Sequence, residues 1–284
     1  MRIAYILPVH RKPAQVARLI HRLATPSACF VLHVDRRADP SVRASIAAAT
    51  RDLPVAFVAP HRCYWGGFGV VRAALKGVRY LVSENVDFDY AVLLSGQDYP
   101  LCPVETIERF FADAGGRSYM NAFPLPRPVG WGPRGGMDRI EDWHLIRRKA
   151  LHLRLPRART LPAGLRPFGG GTWCSFARPV AQYVDQFVRD NPQVTGFFEH
   201  VLHPSEVFFQ SVVMSSPLAD TIVPNSLHYI RWEGGAANPV TLRANDLDTL
   251  LDSGMLFARK FDAAADTAVL DLLDERAAPA TVDA

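Results

Sequence analysis

The sequence predicts an α/β protein with a mostly parallel sheet and helices on both faces of that sheet. Short, continuously aliphatic segments alternate with amphipathic segments along the first third of the 284 residues. Continuous aliphatic strands are typical of a sheet that is buried on both faces, and a helix usually connects two parallel strands. Polar residues follow several of these strands, and ligands of such sheets bind at the carboxyl ends of the strands.

The elements of the first hundred residues follow this pattern in order. The predicted strands cover residues 3–9, 29–34, 55–58 and 90–95, and the predicted helices cover 13–23, 41–48 and 70–83. The first helix begins at a proline, which is favoured at that position. We therefore expect His10, Asp35 and residues 95–98 to lie along one edge of the sheet.

The middle of the chain, residues 121–168, is rich in proline, glycine and arginine and is expected to be irregular, with one helix at about 138–151. Its basic residues are either a solvated surface or part of a loop that shapes an acceptor site or touches a membrane. Under the second hypothesis, Arg147, Arg148 and Lys149 lie on a helix that faces an anionic acceptor or a membrane surface.

The last part of the chain returns to regular structure. We predict strands at 169–176 and 227–232, helices at 179–189, 207–214 and 246–251, and an ordered segment at 255–261. Residues 1–262 are expected to form a single domain, and residues 263–284 a C-terminal helix with a frayed tail.

Composition narrows the classes of function. The net charge of +4 suits a protein that binds a nucleotide diphosphate, but no basic run is interleaved with aromatic residues, so we expect no nucleic-acid partner. No apolar run reaches the 18 residues of a membrane span. The cysteines are far apart and form no C-x-x-C pair, which predicts reduced thiols in a cytoplasmic protein, without a zinc site or a disulfide framework. They are Cys29, Cys63, Cys102 and Cys174.

No common catalytic or metal-binding motif is present, and no compact cluster of His, Cys and Asp is apparent. Asp87 and Asp89 have the D-x-D spacing, but they precede a strand instead of following one. We interpret them as part of a solvated loop and not as a metal site. No metal and no cofactor are therefore expected.

Five short blocks nevertheless occur in a recognisable order. They are Leu-His-Val-Asp at 32–35, Tyr-Trp-Gly-Gly at 64–67, Leu-Ser-Gly-Gln-Asp-Tyr-Pro-Leu at 94–101, Gly-Thr-Trp at 171–173 with His-Pro-Ser-Glu at 203–206, and Leu-Phe-Ala-Arg-Lys-Phe at 256–261. Together they resemble the core-2/I-branching β-1,6-N-acetylglucosaminyltransferases and peptide O-xylosyltransferases of glycosyltransferase family 14. The resemblance runs from about residue 3 to residue 262.

The resemblance implies a GT-A-type fold that transfers a sugar from a UDP-sugar with inversion and without a D-x-D metal site. Glu206 matches the catalytic base of the family, although on its own it could be an ordinary charge in the first turn of a helix. Lys260 matches a lysine that contacts the donor diphosphate in place of a metal, and Arg259 is its neighbour. Arg243 is the nearest candidate for a second diphosphate contact, or else a solvated arginine in a turn.

The same resemblance places Val9, His10 and Asp35 in the uridine pocket. The alternatives are a helix cap for Asp35 and a turn residue for His10. Trp232 matches a tryptophan beside the acceptor sugar, or is a buried strand aromatic. Three polar residues occupy the rim where a D-x-D would otherwise stand, and they are Ser95, Gln97 and Asp98.

The animal members of this family carry a membrane anchor, a stem and several disulfides. This sequence departs from them, because it contains no apolar run of membrane-spanning length and no disulfide framework is expected. From these departures we expect a bacterial, cytoplasmic relative, with peripheral contact with the inner membrane as a further option. The acceptor is not carried over from the animal enzymes, and the donor sugar stays open among N-acetylglucosamine, xylose and another sugar, with the first two favoured. Two alternatives stay open, a metal-dependent glycosyltransferase and a sugar- or nucleotide-binding protein without catalysis.

Overall fold

The computed structural model describes residues 1–132, 134–148, 151–156, 159–162, 164–234, 236 and 238–277, with the backbone alone at residues 147, 148 and 151. The strands are β1 Ile3–Val9, β2 Cys29–Val34, β3 Val55–Phe57, β4 Tyr90–Leu93, β5 Asp98–Pro100, β6 Ser118–Pro124, β7 Trp143–Arg148, β8 Leu151–Leu155, β9 Phe168–Ala177, β10 Ile222–Val223, β11 His228–Ile230 and β12 Phe257–Arg259. The helices are α1 Pro13–Leu23, α2 Pro40–Ala49, α3 Gly69–Ser83, α4 Val104–Asp113, α5 Met137–Glu141, α6 Arg178–Asp190, α7 Pro192–Phe198, α8 Phe208–Met214, α9 Leu247–Asp252 and α10 Ala268–Glu275.

The main sheet has seven strands in the order β10-β6-β9-β4-β1-β2-β3. Strands β1 to β4 pair in parallel, and β10 is parallel to β6. Strand β9 runs antiparallel to both of its neighbours, β4 and β6. The predicted α/β class with a mostly parallel sheet is thus confirmed.

Both faces of this sheet are buried under helices. On one face, Tyr5 and Leu7 of β1 belong to a core that includes Leu19 of α1 and residues of α2, α4, α9 and α10. On the other face, Ile6 belongs to a second core with Val71 of α3 and residues of α6, α7 and α8. Side chains on both faces of β1 are therefore buried, which explains why this strand is apolar throughout.

A second sheet of three strands, in the order β11-β12-β5, lies beyond the end of β4. Strand β12 is parallel to β11 and antiparallel to β5. This register sets Arg259 directly opposite Asp98, although the two residues are far apart in the chain. The late Arg259-Lys260 pair is thereby brought beside the residues that follow β4.

The middle of the chain differs from the prediction. The helix expected at 138–151 is wrong, because in the described part of this range only α5 is helical, and strands β7 and β8 pair antiparallel as the β7–β8 hairpin. Cross-strand pairs of Trp143 with Leu155 and of Leu145 with Leu153 stabilise this hairpin. Arg147 and Arg148 belong to strand β7 and not to a helix, and Lys149 lies outside the described residues.

Other predicted elements keep their type with altered bounds. The expected irregular segment 121–168 begins inside strand β6, which the sequence analysis did not predict. The expected tail lies mostly outside the described residues, while α10 packs Val269, Leu270 and Leu273 into the core. Within the described residues, no helix has both the length and the apolar character needed to cross a membrane.

Candidate active site

A cleft of 1160 Å³ lies at the carboxyl edge of β1, β2 and β4. The wall formed by this edge includes Val9, His10, Asp35, Ser95 and Gln97, as the sequence predicted. The facing walls are built from later parts of the chain, and they include Glu206, Trp232, Arg259 and Lys260. Nine of the predicted site residues therefore line one cleft, whereas Asp98 and Arg243 do not.

The segment that carries Glu206 joins two of the blocks identified in the sequence, the block at 64–67 and the block formed by 171–173 with 203–206. His203 adopts a left-handed conformation with φ of 49°, and a 3₁₀ turn, Pro204–Glu206, follows it. The backbone N–H of His203 donates to the carbonyl oxygen of Gly66 at 2.8 Å. The hydroxyl of Thr172 donates to the hydroxyl oxygen of Ser205 at 3.1 Å. Residues near positions 66, 172 and 205 are thus held together at one end of the cleft.

Glu206 forms an ion pair that the sequence analysis did not foresee. Its Oε2 atom lies 2.5 Å from Nη1 of Arg139, and its side chain remains 32% exposed. The Arg139 guanidinium stacks 4.1 Å from the ring centre of Trp131. The expectation of a carboxylate in the first turn of a helix is corrected, because Glu206 lies in the 3₁₀ turn before the seven-residue α8. Its carboxylate is paired with the guanidinium of Arg139.

The two cations of the last block differ in their surroundings. The Arg259 Nε atom lies 3.1 Å from Oδ1 of Asp98, and its guanidinium stacks 4.1 Å from the Trp173 ring centre. Burial lowers the pKa of Arg259, and Asp98 opposes this effect. Burial and the neighbouring Arg259 lower the pKa of Lys260. Among the described residues, no carboxylate forms an ion pair with Lys260, so its ammonium group faces the cleft without a charge partner.

Asp98 is placed differently from the prediction of a rim residue. Its side chain is fully buried beneath the cleft, where it pairs with Arg259 and accepts the backbone N–H of Ser95 at 2.5 Å. The Ser95 hydroxyl accepts the backbone N–H of Gln97 at 3.2 Å. The side-chain amide nitrogen of Gln97 has no hydrogen-bond partner in the described part of the chain. Asp98 therefore positions Arg259, while the side-chain nitrogen of Gln97 is buried without a partner among the described residues.

Asp35 is fixed at the end of β2 by backbone and side-chain donors. Its carboxylate accepts the N–H of Arg37 at 2.9 Å and the N–H of Cys63 at 3.3 Å. Helix α2 is capped by Asp39, which accepts the N–H of Ser41 at 2.8 Å. The alternative interpretation of Asp35 as a helix cap is therefore wrong.

Two further predictions are resolved by burial. Trp232 is 55% exposed, so the alternative of a buried strand aromatic is wrong for it. Arg243 lies at an exposed turn before Ala244–Asp246, and its backbone N–H donates to Asp246 at 2.9 Å. Because Arg243 does not line the cleft, the predicted contact with the donor is not supported by its position.

A cluster of His33, His61 and Cys63 lies beside Asp35, although the sequence analysis expected no compact cluster of this kind. One ligand atom from each residue lies within 4.8 Å of the others, so these three residues could hold a metal. In the structure these residues are hydrogen-bonded to one another and to the backbone. The N–H of His61 donates to Nε2 of His33 at 3.1 Å, and Nε2 of His61 donates to the Gly69 carbonyl at 2.8 Å.

The pKa values of this cluster follow from its burial. Burial and the neighbouring His61 lower the pKa of His33 to about 4, whereas burial and Asp35 raise the pKa of the Cys63 thiol to about 12. Both groups are consequently uncharged near neutral pH. Little in the sequence pointed to the cluster, because His33 and Cys63 come from separate segments that meet only through strand pairing.

The D-x-D spacing at Asp87 and Asp89 has a structural explanation. Asp89 lies 2.6 Å from a guanidinium nitrogen of Arg2, and Asp87 pairs with Arg2 and with Arg178. Both carboxylates precede β4, at the edge of the sheet opposite the cleft. The interpretation of these residues as a loop away from any metal site agrees with this placement.

Several cleft residues were missed by the sequence analysis. Four of them are cations, namely Arg11, Lys12, Arg37 and Arg139. With Arg259 and Lys260, they give the cleft lining six Lys and Arg residues against the two carboxylates of Asp35 and Glu206. Arg11, Lys12 and Arg37 follow the ends of β1 and β2 directly, and that position was the available signal. Arg139 carried no such signal.

Comparison with known proteins identifies the family. The family model described as Core-2/I-Branching enzyme matches residues 3–251. This chain belongs to the Core-2/I-Branching enzyme family. The resemblance inferred from the five sequence blocks is thereby confirmed, and the matched range includes Glu206 together with the first four blocks.

Several curated relatives of this Core-2/I-Branching family member are named as xylosyltransferases. The chain is 27% identical to Xylosyltransferase oxt of Drosophila pseudoobscura pseudoobscura, with 97% of this chain and 33% of the relative covered. It is 27% identical to Xylosyltransferase 2 of Canis lupus familiaris, with 96% and 33% covered, and 25% identical to Xylosyltransferase of Ciona intestinalis, with 96% and 34% covered. The chain thus spans about a third of the length of the curated relatives that it matches.

Proposed function

We propose that this chain is an inverting, metal-independent glycosyltransferase that moves a sugar from a UDP-sugar to a hydroxyl group of a glycan or another acceptor. Family membership and the names of the relatives support transfer of a sugar, with N-acetylglucosamine or xylose as the donor sugar. One observation carries the proposal: the accessible carboxylate of Glu206 shares a single cleft with the cations Arg259 and Lys260.

The proposed chemistry assigns one role to each charge. Glu206 accepts the proton of the acceptor hydroxyl while that oxygen attacks the anomeric carbon of the donor sugar. The bond from the anomeric carbon to the phosphate oxygen breaks, and its electron pair leaves with UDP. Lys260 and Arg259 stabilise the negative charge that develops on the diphosphate. Attack from the face opposite to the leaving group inverts the anomeric configuration.

The unpaired state of Lys260 suits the role of a diphosphate contact. An ammonium group without a protein carboxylate can form its charge-assisted hydrogen bonds with phosphate oxygens instead. Arg259 is held in place by Asp98 below it and by Trp173 beside it, so little side-chain entropy is lost when it meets the donor. The excess of cations over carboxylates in the cleft acts in the same direction.

Metal independence is supported by the surroundings of the acids that stand where a D-x-D would stand or that have its spacing. Asp98 is the acid that follows β4, where a D-x-D would stand, and its buried carboxylate is already paired with Arg259. Asp87 and Asp89 are paired with Arg2 at the other edge of the sheet. These acids are therefore engaged by cations, and Lys260 offers a fixed charge in the position that a metal would serve.

We assign the nucleoside end of the donor to the ends of β1 and β2. Asp35 has fixed donors from Arg37 and Cys63, which orient its remaining lone pairs toward the cleft beside Val9 and His10. A carboxylate at such a strand end commonly accepts a ribose hydroxyl. Trp232, with its exposed indole, is assigned to the acceptor side, where an aromatic face suits the C–H face of a pyranose.

The test is Glu206→Gln, which preserves the shape of the side chain but removes its ability to accept a proton. Turnover of UDP-xylose or UDP-N-acetylglucosamine is measured as UDP release in excess EDTA. We expect this turnover to fall by roughly 10²–10⁴-fold. UDP affinity, measured by calorimetry, should stay near that of the wild type. Glu199→Gln is the matched control, because Glu199 also pairs with an arginine, Arg72, but does not line the cleft.

The outcomes separate this proposal from its alternatives. Unchanged turnover in Glu206→Gln would exclude Glu206 as the base. Activity that is lost in EDTA and restored by Mn²⁺ would favour a metal-dependent glycosyltransferase. UDP binding without turnover of any UDP-sugar in the wild type would favour a binding protein.

A further inference from the structure

A recess of 400 Å³ opens beside the cleft, and nothing in the proposed reaction uses it. The recess and the cleft share Asn121, Trp131, Gly170 and Gly171 in their walls, so the two spaces are adjacent. The far wall of the recess includes Phe123 and Arg127. It is built mostly from the segment 121–131, which matches none of the five sequence blocks.

The partition between the two spaces is the indole of Trp131, and glycines fix its position. A Cβ atom at Gly169 would lie 2.7 Å from the Trp131 ring, and a Cβ atom at Gly136 would lie 2.5 Å from it. The edge of Phe123 meets the indole with ring centres 5.1 Å apart. Arg139 stacks on the same indole and pairs with Glu206. Trp131 and Arg139 therefore connect the recess with the proposed base.

The side chains that line the recess favour a sugar ring that carries an anionic substituent. The guanidinium of Arg127 lies 4.1 Å from the ring centre of Phe123 and is exposed. In the described part of the chain, Arg127 has no carboxylate partner, and the recess lining contains no acidic side chain. Asn121 adds an amide, while Phe123 and Trp131 add aromatic surface. An unpaired guanidinium beside aromatic faces suits a pyranose with a carboxylate or phosphate substituent.

We propose that this recess is an acceptor subsite for a sugar residue that carries an anionic group, next to the residue whose hydroxyl is glycosylated. The acceptor is thus an acidic glycan, in which Arg127 binds the anion and Trp131 and Phe123 contact the ring. This assignment rests on the proposed function, because Glu206 defines where the accepting hydroxyl lies. The anion has two possible sources, a uronate carboxylate and a sugar phosphate.

The test uses the whole chain saturated with UDP, so that the diphosphate site is blocked to other anions. Methyl β-glucuronide, glucose 6-phosphate and neutral methyl β-glucoside are titrated, and the indole N–H signals are followed by NMR. Trp131→Phe identifies the signal of Trp131. Because hydrogen bonds to charged groups contribute about 1.5–3 kcal/mol, we expect one anionic sugar to bind roughly 10–100-fold more tightly than the glucoside and to shift that signal.

Variants of Arg127 decide the assignment. Arg127→Ala should remove the preference for the anionic sugar, and Arg127→Lys should retain part of it. Arg43→Ala is the matched control, because Arg43 also stacks on a phenylalanine, Phe57, but does not line the cleft or the recess. It should keep the full preference.

Each remaining result counts for or against the subsite. The anion that binds more tightly, the glucuronide or the phosphate, identifies the source. Equal binding of the three sugars, or a preference that survives in Arg127→Ala, would overturn the subsite even if the wild type binds UDP. Failure of the wild type to bind UDP at all would instead count against the proposed function itself.

Discussion

Glu206 and Arg139 both line the cleft and form an ion pair, although 67 positions separate them in the chain. Glu206 belongs to a turn beside α8, and Arg139 belongs to α5 in the middle segment. A guanidinium at this distance stabilises the negative charge of the carboxylate and restricts its rotamers. Arg139 is therefore a positioning residue for the proposed base, and it links that base to the Trp131 partition.

Replacement of Arg139 measures this role. Arg139→Ala should lower turnover by roughly 10–100-fold, because a hydrogen bond to a charged group contributes about 1.5–3 kcal/mol. UDP affinity should be unchanged, since Arg139 faces the base and not the diphosphate cations. The variant is assayed for turnover and UDP affinity, with and without added guanidinium chloride at low concentration.

Rescue distinguishes positioning from a loss of structure. Added guanidinium should restore part of the turnover of Arg139→Ala but none of that of Glu206→Gln. Arg139→Lys should be intermediate, because lysine keeps the charge and lacks the planar fork. A parallel loss of UDP affinity and turnover, without rescue, would show that Arg139 only supports the fold.

At the scale of elements, strand β9 brings the two halves of the site together. It pairs with β4 on one side and with β6 on the other, and its glycines lie where β6 approaches most closely. A Cβ atom at Gly170 would overlap the carbonyl oxygen of Asn121, which is backbone and cannot move aside. A Cβ atom at Gly171 would have its nearest contact at 3.8 Å, which is an ordinary van der Waals distance. Gly170 therefore allows the close contact between β6 and β9, whereas Gly171 lies beside open space in the cleft.

This contrast predicts different stabilities for two neighbouring variants. Gly170→Ala should lower the free energy of unfolding by at least about 1–3 kcal/mol, because the β6–β9 pairing must shift to admit the methyl group. Gly171→Ala should change it by less than about 1 kcal/mol, since alanine loses less backbone entropy than glycine and meets no close neighbour. Urea unfolding of both variants beside the wild type checks this. Equal stability of the two variants would contradict the close approach at Gly170.

At the scale of the whole molecule, buried histidines make stability depend on pH. Burial lowers the pKa values of His33, His61, His144, His203 and His228. The unfolded chain takes up protons at these residues near pH 6.5, but the folded chain does so only at lower pH. The unfolded state therefore binds more protons as the pH falls below about 6.5, and the folded state loses stability there.

His33 gives this effect a magnitude that can be measured. Its folded pKa of about 4 means that stability falls as the pH decreases from 6.5 toward 4. At about pH 5, His33 alone should cost about 2 kcal/mol relative to about pH 7.5. His33→Gln keeps an acceptor for the His61 N–H but does not titrate, so its urea midpoint should change less between these two conditions. If wild type and variant respond equally to pH, His33 does not contribute.

The elements of the first hundred residues and the polar residues at the ends of the first strands could largely be predicted from the sequence. Strands β1, β2 and β4 follow from continuous aliphatic runs, because burial on both faces leaves no position for a polar residue. The placement of His10 and Asp35 at one edge follows from parallel pairing alone. The order of the five blocks was sufficient to predict the family.

Contacts between residues that are distant in the chain could not be predicted in this way. The register of β12 on β5 pairs Arg259 with Asp98, and packing of the middle segment brings Arg139 to Glu206. The segment predicted as a helix at 138–151 contains strand β7 and the start of β8 instead, because pairing of Leu145 with Leu153 outweighs local helix propensity. Arg243 was left outside the cleft by the turn before α9. Such contacts depend on strand register and on close packing between distant segments, and the pattern of one segment does not reveal which other segment it will meet.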